Sequence, residues 1–118
     1  MSGMSTARTH PAAPLFTLLG KAHTMRILHQ IVRVDQRPWR FSELQGILEI
    51  SPNTLSTRLE ELTEAGLVTR TQYDEIPPRV EYEATEKAAD LAPVFRELRD
   101  WARTHEATPS SRHYEGEE

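Results

Sequence analysis

Residues 51–83 read SPNTLSTRLEELTEAGLVTRTQYDEIPPRVEYE, and the spacing of their apolar residues changes after Gly66 from helical to extended. In the first part, leucines recur every three or four positions, which predicts a helix with one buried face. Ser51 followed by a proline is a favoured helix start, and Gly66 is a favoured stop. The predicted buried face consists of Leu55, Leu59 and Leu62.

Two segments rich in strand-forming residues follow, at 67–73 and 79–83, around a loop with two prolines. This arrangement predicts a β-hairpin. Upstream, a helix that opens at residue 41 or 42 and a tight turn at Glu49-Ile50 precede the serine-capped helix. Helix, turn, helix and hairpin in this order are typical of a winged helix-turn-helix, whose second helix enters the DNA major groove.

Three further helices are predicted from apolar stripes at helical spacing. A short one ends at Gly20, one runs from about residue 22 to 34, and one from about residue 85 to 105, weakened near Asp90 by Pro93. We therefore predict a mainly α fold with a small hairpin and added N- and C-terminal dimerisation helices. The predicted stripes include Met25, Ile27, Leu28, Ile31 and Val32 before the helix-turn-helix, Leu44, Ile47 and Leu48 within it, and Leu91, Val94, Phe95, Leu98, Trp101 and Ala102 after it.

The 118 residues fit one domain of ordinary size. Residues 1–13 are small and polar and predict a flexible arm, whereas residues 106–118 predict a disordered acidic tail. The winged helix and dimerisation domain is therefore expected at 14–105. No apolar run is long enough for a membrane span, and the first residues lack the core of a signal peptide, so a cytoplasmic protein is expected.

The net charge of −4 looks wrong for a nucleic-acid binder, but it averages two unlike halves. Residues 1–59 carry +4 and residues 60–118 carry −8, which predicts one basic and one acidic face. The cations are nearly all arginine, as in proteins adapted to high salt or encoded by GC-rich genomes. Both explanations remain open.

Enzymatic chemistry finds no support in the sequence. There is no cysteine, which excludes a thiol nucleophile, a cysteine zinc site and a thiol switch. The five histidines form neither an i, i+4 pair nor an HExxH motif, and no glycine-rich phosphate loop is present. We predict no enzyme activity, no metal site and no cofactor.

Short polar residues lie near the start of the predicted recognition helix, where hydroxyl and amide groups can contact phosphates and base edges. Arg79, directly after the prolines of the wing, suits a narrow minor groove, although it could instead pair with Glu75 or Glu81. Arg37 and Arg40 are placed to contact phosphate. The predicted DNA-binding residues are Arg40, Ser51, Asn53, Thr54, Ser56, Thr57 and Arg79.

Three glutamates at positions 60, 61 and 64 follow on the outer side of the same helix. They would repel phosphates, so this end of the helix is expected to tilt away from the duplex. The other interpretation is that cations at the DNA interface screen the glutamates. In that case binding falls less steeply with salt than counterion release alone predicts.

The terminal helices carry apolar stripes that the small winged core is not expected to cover. Pairing them across a two-fold axis would bury the stripes and place two recognition helices about one DNA turn apart. Such a homodimer would bind a pseudo-palindromic operator. The alternative is that both helices fold back on their own domain. The predicted interface residues are Leu15, Phe16, Leu19, Leu91, Phe95, Leu98 and Trp101.

Residues 39–88, and more loosely the chain up to Trp101, resemble the HxlR-type winged helix regulators, which are related to the MarR and PadR groups. The resemblance rests on RFSEL at 40–44, LSTRL at 55–59, GLVTR at 66–70 and, most specifically, PPRVEY at 77–82. It implies a dimer formed by the terminal helices and recognition by the 51–64 helix and the wing. The family usually opens with a cysteine ahead of a Gly-Gly-Lys-Trp stretch, where this chain has Gly20-Lys21-Ala22-His23. This departure removes thiol sensing and puts any shared effector pocket in doubt.

A DNA-binding transcriptional regulator is therefore the leading interpretation. The alternative is a winged helix that serves as a protein-interaction module of the transcription machinery, which the acidic surface would suit. Replacing Asn53, Thr57 and Arg79 would separate the two, because only the DNA-binding protein loses its activity. The arginine-rich, acidic composition also resembles haloarchaeal proteins.

Overall fold

The computed structural model describes residues 10–33 and 37–105. In these ranges the described strands form one antiparallel sheet in the order β1-β3-β2, and the predicted winged helix-turn-helix is confirmed. The predicted tail and most of the predicted arm lie outside the described residues. The elements are α1 (Ala13–Leu19), α2 (Thr24–Val32), β1 (Trp39–Arg40), α3 (Phe41–Leu48), α4 (Pro52–Glu64), β2 (Val68–Tyr73), β3 (Arg79–Ala84), α5 (Glu86–Ala89) and α6 (Ala92–His105).

The centre of the core is the contact between α2 and α4. The predicted leucine face of α4 is fully buried, as is the α2 face that meets it. Each such side chain contributes about 1.5–3 kcal/mol relative to an exposed position. The residues with at most 1% exposure on these two helices' apolar faces are Ile27, Leu28, Ile31, Val32, Leu55, Leu59 and Leu62.

Two predicted core residues are exposed instead. Met25 is 38% exposed although it lies only about 20° from Val32 around α2, because it is in the first turn of the helix, at the end of the buried face. Ile47 is 53% exposed, since Leu44 and Leu48 form the buried edge of α3 and Ile47 lies on its flank. The start of α2 is also later than predicted, because His23 adopts a left-handed conformation with φ of 70°. The predicted end at residue 34 lies outside the described residues.

The predicted C-terminal helix is divided into α5 and α6. The break falls at Asp90-Leu91, which confirms the weakness expected there, and Pro93 lies in the first turn of α6, where no amide donor is needed. The α6 helix then packs against α2, with the Phe95 ring 5.1 Å from that of His29. Burial lowers the pKa of His29 below its usual value, and the nearby Arg33 and Arg99 add to the shift.

The wing is attached to α4 by a set of hydrogen bonds around Thr85. Its hydroxyl donates to the carbonyl of Gly66 at 2.8 Å and accepts from the Ala88 amide at 3.2 Å. Its own amide donates to the carbonyl of Leu67 at 3.2 Å. Gly66 has a φ of +79°, which lets the chain reverse between α4 and β2 without strain.

The sheet is completed by β1, which pairs Trp39 with Tyr82 of β3. Both side chains are buried, so the sheet has one face on the core. The hairpin register runs from Val68↔Ala84 at its base to Tyr73↔Arg79 at its tip. None of the described helices is long and apolar enough to cross a bilayer.

The α2–α4 contact predicts the result of two aliphatic truncations. Leu59→Ala should lower the free energy of unfolding by about 2–5 kcal/mol, because it leaves a cavity in the core. Ile47→Ala, a matched control on an exposed position, should change it by less than about 0.5 kcal/mol. Urea denaturation followed by circular dichroism measures both. Equal losses in the two variants would contradict this description of the core.

Candidate nucleic-acid interface

The N-terminus of α4 is fixed by Ser51, as predicted. Ser51 has extended backbone angles, and its Oγ accepts a hydrogen bond from the Thr54 amide at 3.3 Å. The same hydroxyl donates to Oγ1 of Thr54 at 3.0 Å. Before it, Glu49 ends α3 in a left-handed conformation with φ of 55°, which makes the turn tight. Pro52 has no amide hydrogen, and the amides of Thr54 and Leu55 donate to Ser51, so of these first residues only Asn53 has an amide without a partner.

The polar face of α4 consists of the residues predicted from the sequence. Asn53, Ser56 and Thr57 are exposed, and Thr54 is half-buried beside the cap. Among the described residues, the first three side chains have no hydrogen-bond partner. The structure therefore brings together Ser51 and these four residues on the outer side of the N-terminal half of α4. Ser51 and Thr54 bond to each other, whereas the side chains of Asn53, Ser56 and Thr57 are free for a ligand.

The back and flank of α4 are held by charged contacts to the segment between α1 and α2. Nε of Arg58 donates to the carbonyl of Ala22 at 2.9 Å, and its Nη1 lies 3.1 Å from the Glu61 carboxylate. Lys21 binds the other oxygen of Glu61 at 3.1 Å. The hydrogen bond from Lys21 is the main reason that the pKa of Glu61 is lowered. Arg58 is thus packed against its own domain and ion-paired, which excludes it from the polar face.

These contacts reduce the number of glutamates on α4 that can repel DNA. Glu61 points away from the polar face and is neutralised by two cations, while Glu60 and Glu64 remain exposed. Only two of the three carboxylates can therefore oppose a phosphate. The tilt of this helix end away from DNA and the screening by cations stay predictions.

The two arginines near the start of α3 differ in their freedom. Arg37 donates to the carbonyl of Pro38 at 2.9 Å and to Glu43 at 3.2 Å, and its guanidinium lies 3.6 Å from the Trp39 ring centroid. The side chain of Arg40 is exposed and, among the described residues, forms no ion pair or ring contact at short distance; its charge adds to the lowering of the Glu43 pKa. Its amide donates to Glu43 at 3.0 Å, the main cause of the lowered pKa of that carboxyl. Arg40 is thus the freer of the two.

Arg79 at the base of the wing loop is engaged on three sides. Its Nη1 donates to both carboxylate oxygens of Glu75 at 2.8 Å, and its Nε lies 3.1 Å from Glu81. The guanidinium carbon is 4.2 Å from the centroid of the Tyr73 ring. The alternative predicted from the sequence, pairing with Glu75 or Glu81, therefore holds for both acids in the free chain. Contact with a minor groove stays a prediction and requires at least one pair to open.

Two residues near this surface were not predicted as site residues. Arg70 lies opposite Tyr82 on the core-facing side of the sheet and has no partner in the described part of the chain. It lines a groove of about 410 Å³ between α4 and the sheet, together with Ser56 and Glu60. The strand alternation from buried Val68 could have assigned Arg70 to this side.

The second residue is Ile76, which is fully exposed at the tip of the wing, directly before the two prolines. No periodicity marks an apolar residue in a loop, so sequence patterns do not single out Ile76. Its exposure and its position beside Arg79 make it part of the candidate surface.

Comparison with known proteins identifies the family of the chain. The sequence model of the HxlR-like helix-turn-helix family matches residues 18–109. The chain is 39% identical over 92 residues to the HTH-type transcriptional regulator BH0655 of Halalkalibacterium halodurans, covering 77% of this chain and 80% of that protein.

Two solved structures extend the comparison. The reduced form of the transcriptional regulator YodB from Bacillus subtilis superposes with a TM-score of 0.68 at 35% identity, covering 80% of this chain and 91% of that one. A MarR-family regulator from Porphyromonas gingivalis W83, described as putative, gives a TM-score of 0.69 at 32% identity, covering 79% and 89%.

A serine-capped helix with a polar outer side and a hairpin wing beside it define a helix-turn-helix transcriptional regulator, a DNA-binding protein and not an enzyme. The chain belongs to the HxlR-like helix-turn-helix family, as the resemblance implied. The alternative of a protein-interaction module is not favoured, because the named relatives are transcriptional regulators. Adaptation to high salt stays a prediction.

The contacts of Arg79 predict the effect of a change at the wing. Glu75→Gln should raise the affinity for DNA by about fivefold, because an exposed ion pair worth about 1 kcal/mol no longer competes with phosphate. Fluorescence anisotropy with a labelled duplex at fixed salt measures the change. Glu97→Gln on α6 removes the same charge far from the wing and is the control. If Glu75→Gln left the affinity for DNA unchanged or lowered it, competition between Glu75 and phosphate for Arg79 would be contradicted.

Proposed function

We propose that this regulator binds a pseudo-palindromic operator in double-stranded DNA as a homodimer, with α4 in the major groove and the wing at the minor groove. The observation that carries the proposal is the unpartnered polar side of α4 at Asn53, Ser56 and Thr57, beside a wing with arginine at its base. Both elements are attached to one core, so they approach DNA together.

In the major groove, the amide of Asn53 can bind the N6 and N7 edge of adenine. The hydroxyls of Ser56 and Thr57 can contact bases or phosphates. The free amide of Asn53 and the positive end of the α4 dipole favour a phosphate there, and Arg40 at the start of α3 supplies a second phosphate contact. These contacts supply both orientation and sequence discrimination.

At the minor groove, Arg79 exchanges Glu75 for the negative potential of a narrow groove. Ile76 lies next to it and offers an apolar contact to the sugars or base steps, a role that wedge residues have in other minor-groove proteins. Tyr73 continues to support the guanidinium through its ring during this exchange. Arg70, in the groove between α4 and the sheet, adds a cation between the two contact regions.

The dimer is supported by an exposed apolar stripe. Val94, Leu98 and Trp101 are 50%, 49% and 56% exposed on α6, and Phe16 of α1 is 58% exposed. Such a stripe is costly to leave in water. The predicted interface residues Leu15, Leu19, Leu91 and Phe95 are instead half-buried against their own core. The main contacts between the two chains are therefore expected from Phe16, Val94, Leu98 and Trp101.

The test is selection of bound sequences from random duplexes, repeated at low and multimolar KCl. Two half-sites with centres about ten base pairs apart, or a multiple of that spacing, would support a dimer with one α4 in each major groove. Cations held between Glu60, Glu64 and phosphate would make binding fall less with salt than counterion release alone requires. Loss of all sequence selectivity at both salts would overturn the proposal.

We predict that replacing Asn53 or Thr57 by alanine weakens binding to the operator. Each variant should bind the selected operator with about 1–3 kcal/mol less free energy, because a base or phosphate contact is removed without change to the core. Electrophoretic mobility shift with the operator and with a scrambled duplex measures the loss. Arg96→Ala on α6 removes a cation outside the proposed interface and should retain operator affinity. Full binding by both α4 variants would exclude this face.

Disruption of the stripe on α6 predicts a change of oligomeric state. Leu98→Glu should convert the dimer into a monomer, because it places a carboxylate in the apolar contact. Size-exclusion chromatography with light scattering at micromolar concentration gives the mass, and Glu97→Ala on the adjacent polar position should remain dimeric. A wild-type chain of monomer mass would contradict the proposed dimer.

A further inference from the structure

A second groove lies on the other side of α4 from the polar face, near its C-terminal end. It has a volume of about 390 Å³ and is bounded by α1, the start of β2 and the junction of α5 with α6. Its walls are almost entirely aliphatic. The apolar lining comprises Pro14, Leu15, Leu18, Leu67 and Leu91.

Lys87 is the one charged residue that lines this groove. It is exposed on α5, and its ammonium extends toward Gly66: a Cβ placed on that glycine would lie 3.2 Å from Nζ. Within residues 10–33 and 37–105, Lys87 has no ion pair and no hydrogen bond. An apolar cleft thus carries one cation at its rim, and that cation has no acid opposite it.

We propose that this groove binds a small organic anion with an apolar body and one carboxylate, the body against the leucines and the carboxylate at Lys87. The volume is within the range of ligand sites, about 300–1,000 Å³. A few polar groups on an apolar wall fix orientation in such sites. A second copy of the chain is the less suitable occupant, because the exposed stripe of Phe16, Leu98 and Trp101 lies outside this groove.

The groove contacts the C-terminal end of α4 and the start of the wing, the two elements proposed to bind DNA. Ala65 on its wall is the C-terminal cap of α4, and Leu67 immediately precedes β2 and accepts a hydrogen bond from Thr85. A ligand that separates α1 from these residues would move α1, a predicted dimerisation helix, relative to the junction of α4 with the wing. This coupling rests on the proposed function, and by linkage DNA would change ligand affinity by the same factor.

The experiment compares cinnamate with cinnamamide, which has nearly the same shape and no charge, by isothermal titration calorimetry on the full chain. Cinnamate should bind at one site per chain, and cinnamamide about tenfold more weakly, the loss of one charge-assisted contact. Lys87→Met should remove the preference for the acid. Lys21→Met, at the only other lysine, should keep it. Ala65→Phe should weaken both ligands by filling the groove.

Circular dichroism and thermal unfolding establish that each variant is folded. Absence of saturable cinnamate binding, or equal preference for the acid in wild type and Lys87→Met, would overturn the site. A changed oligomeric state in Ala65→Phe, without cinnamate binding to wild type, would assign the groove to a second copy. Operator affinity is then measured with and without saturating cinnamate; no change would overturn the coupling. Titration without DNA tests the site whether or not DNA binding holds.

Discussion

The burial of the leucine side of α4 against α2 is the constraint on which the rest of the structure depends. Leu55, Leu59 and Leu62 have at most 1% exposure, so the rotation of α4 about its axis is fixed by the core. A rotation that lifted one leucine into water would cost about 1.5–3 kcal/mol and would turn a serine or threonine inward. The same packing that stabilises the domain therefore decides which side chains face outward.

Arg58 adds a second restraint to the same helix. Because its guanidinium binds both a backbone carbonyl before α2 and the carboxylate of Glu61, α4 is held at its flank as well as at its back. Arg26 has a similar role for α3, where it donates to the carbonyl of Leu48 at 3.0 Å, at the helix end that favours a cation. Each of the two helices of the motif thus has a polar contact to α2 or to the residues directly before it.

An acidic chain can present a surface suited to DNA because several of its carboxylates are already occupied. Glu43, Glu61, Glu75 and Glu81 each lie within ion-pair distance of an arginine or lysine. The same ion pairs occupy the cations: Arg37, Arg58 and Arg79 are paired in the free chain, whereas Arg40 and Arg70 form no ion pair among the described residues. Net charge alone therefore says little about this protein's partners, and the distribution of unpaired cations says more.

Sequence patterns predicted the elements whose signals are local. The Ser51-Pro52 start, the leucine spacing in α4 and the stop at Gly66 each depend on neighbouring residues, and all are confirmed. Ile47 and Met25 were misplaced because an apolar residue at the flank of a helix is buried only if a neighbouring element reaches it. The pairing of Arg79 with both acids, and the groove at Lys87, arise from contacts between separate elements, which spacing along the chain does not specify.

The hydrogen bonds of Thr85 affect how the protein would discriminate among DNA sequences. Two of these hydrogen bonds, to Gly66 and Leu67, join the base of the hairpin to the end of α4, so the distance from the hairpin tip to that helix is set by the protein alone. Because this distance is fixed, the DNA duplex and not the protein must deform when the groove width or curvature does not fit. Because flexible and stiff base steps differ in the energy of that adjustment, the protein would discriminate among sequences at positions it does not touch.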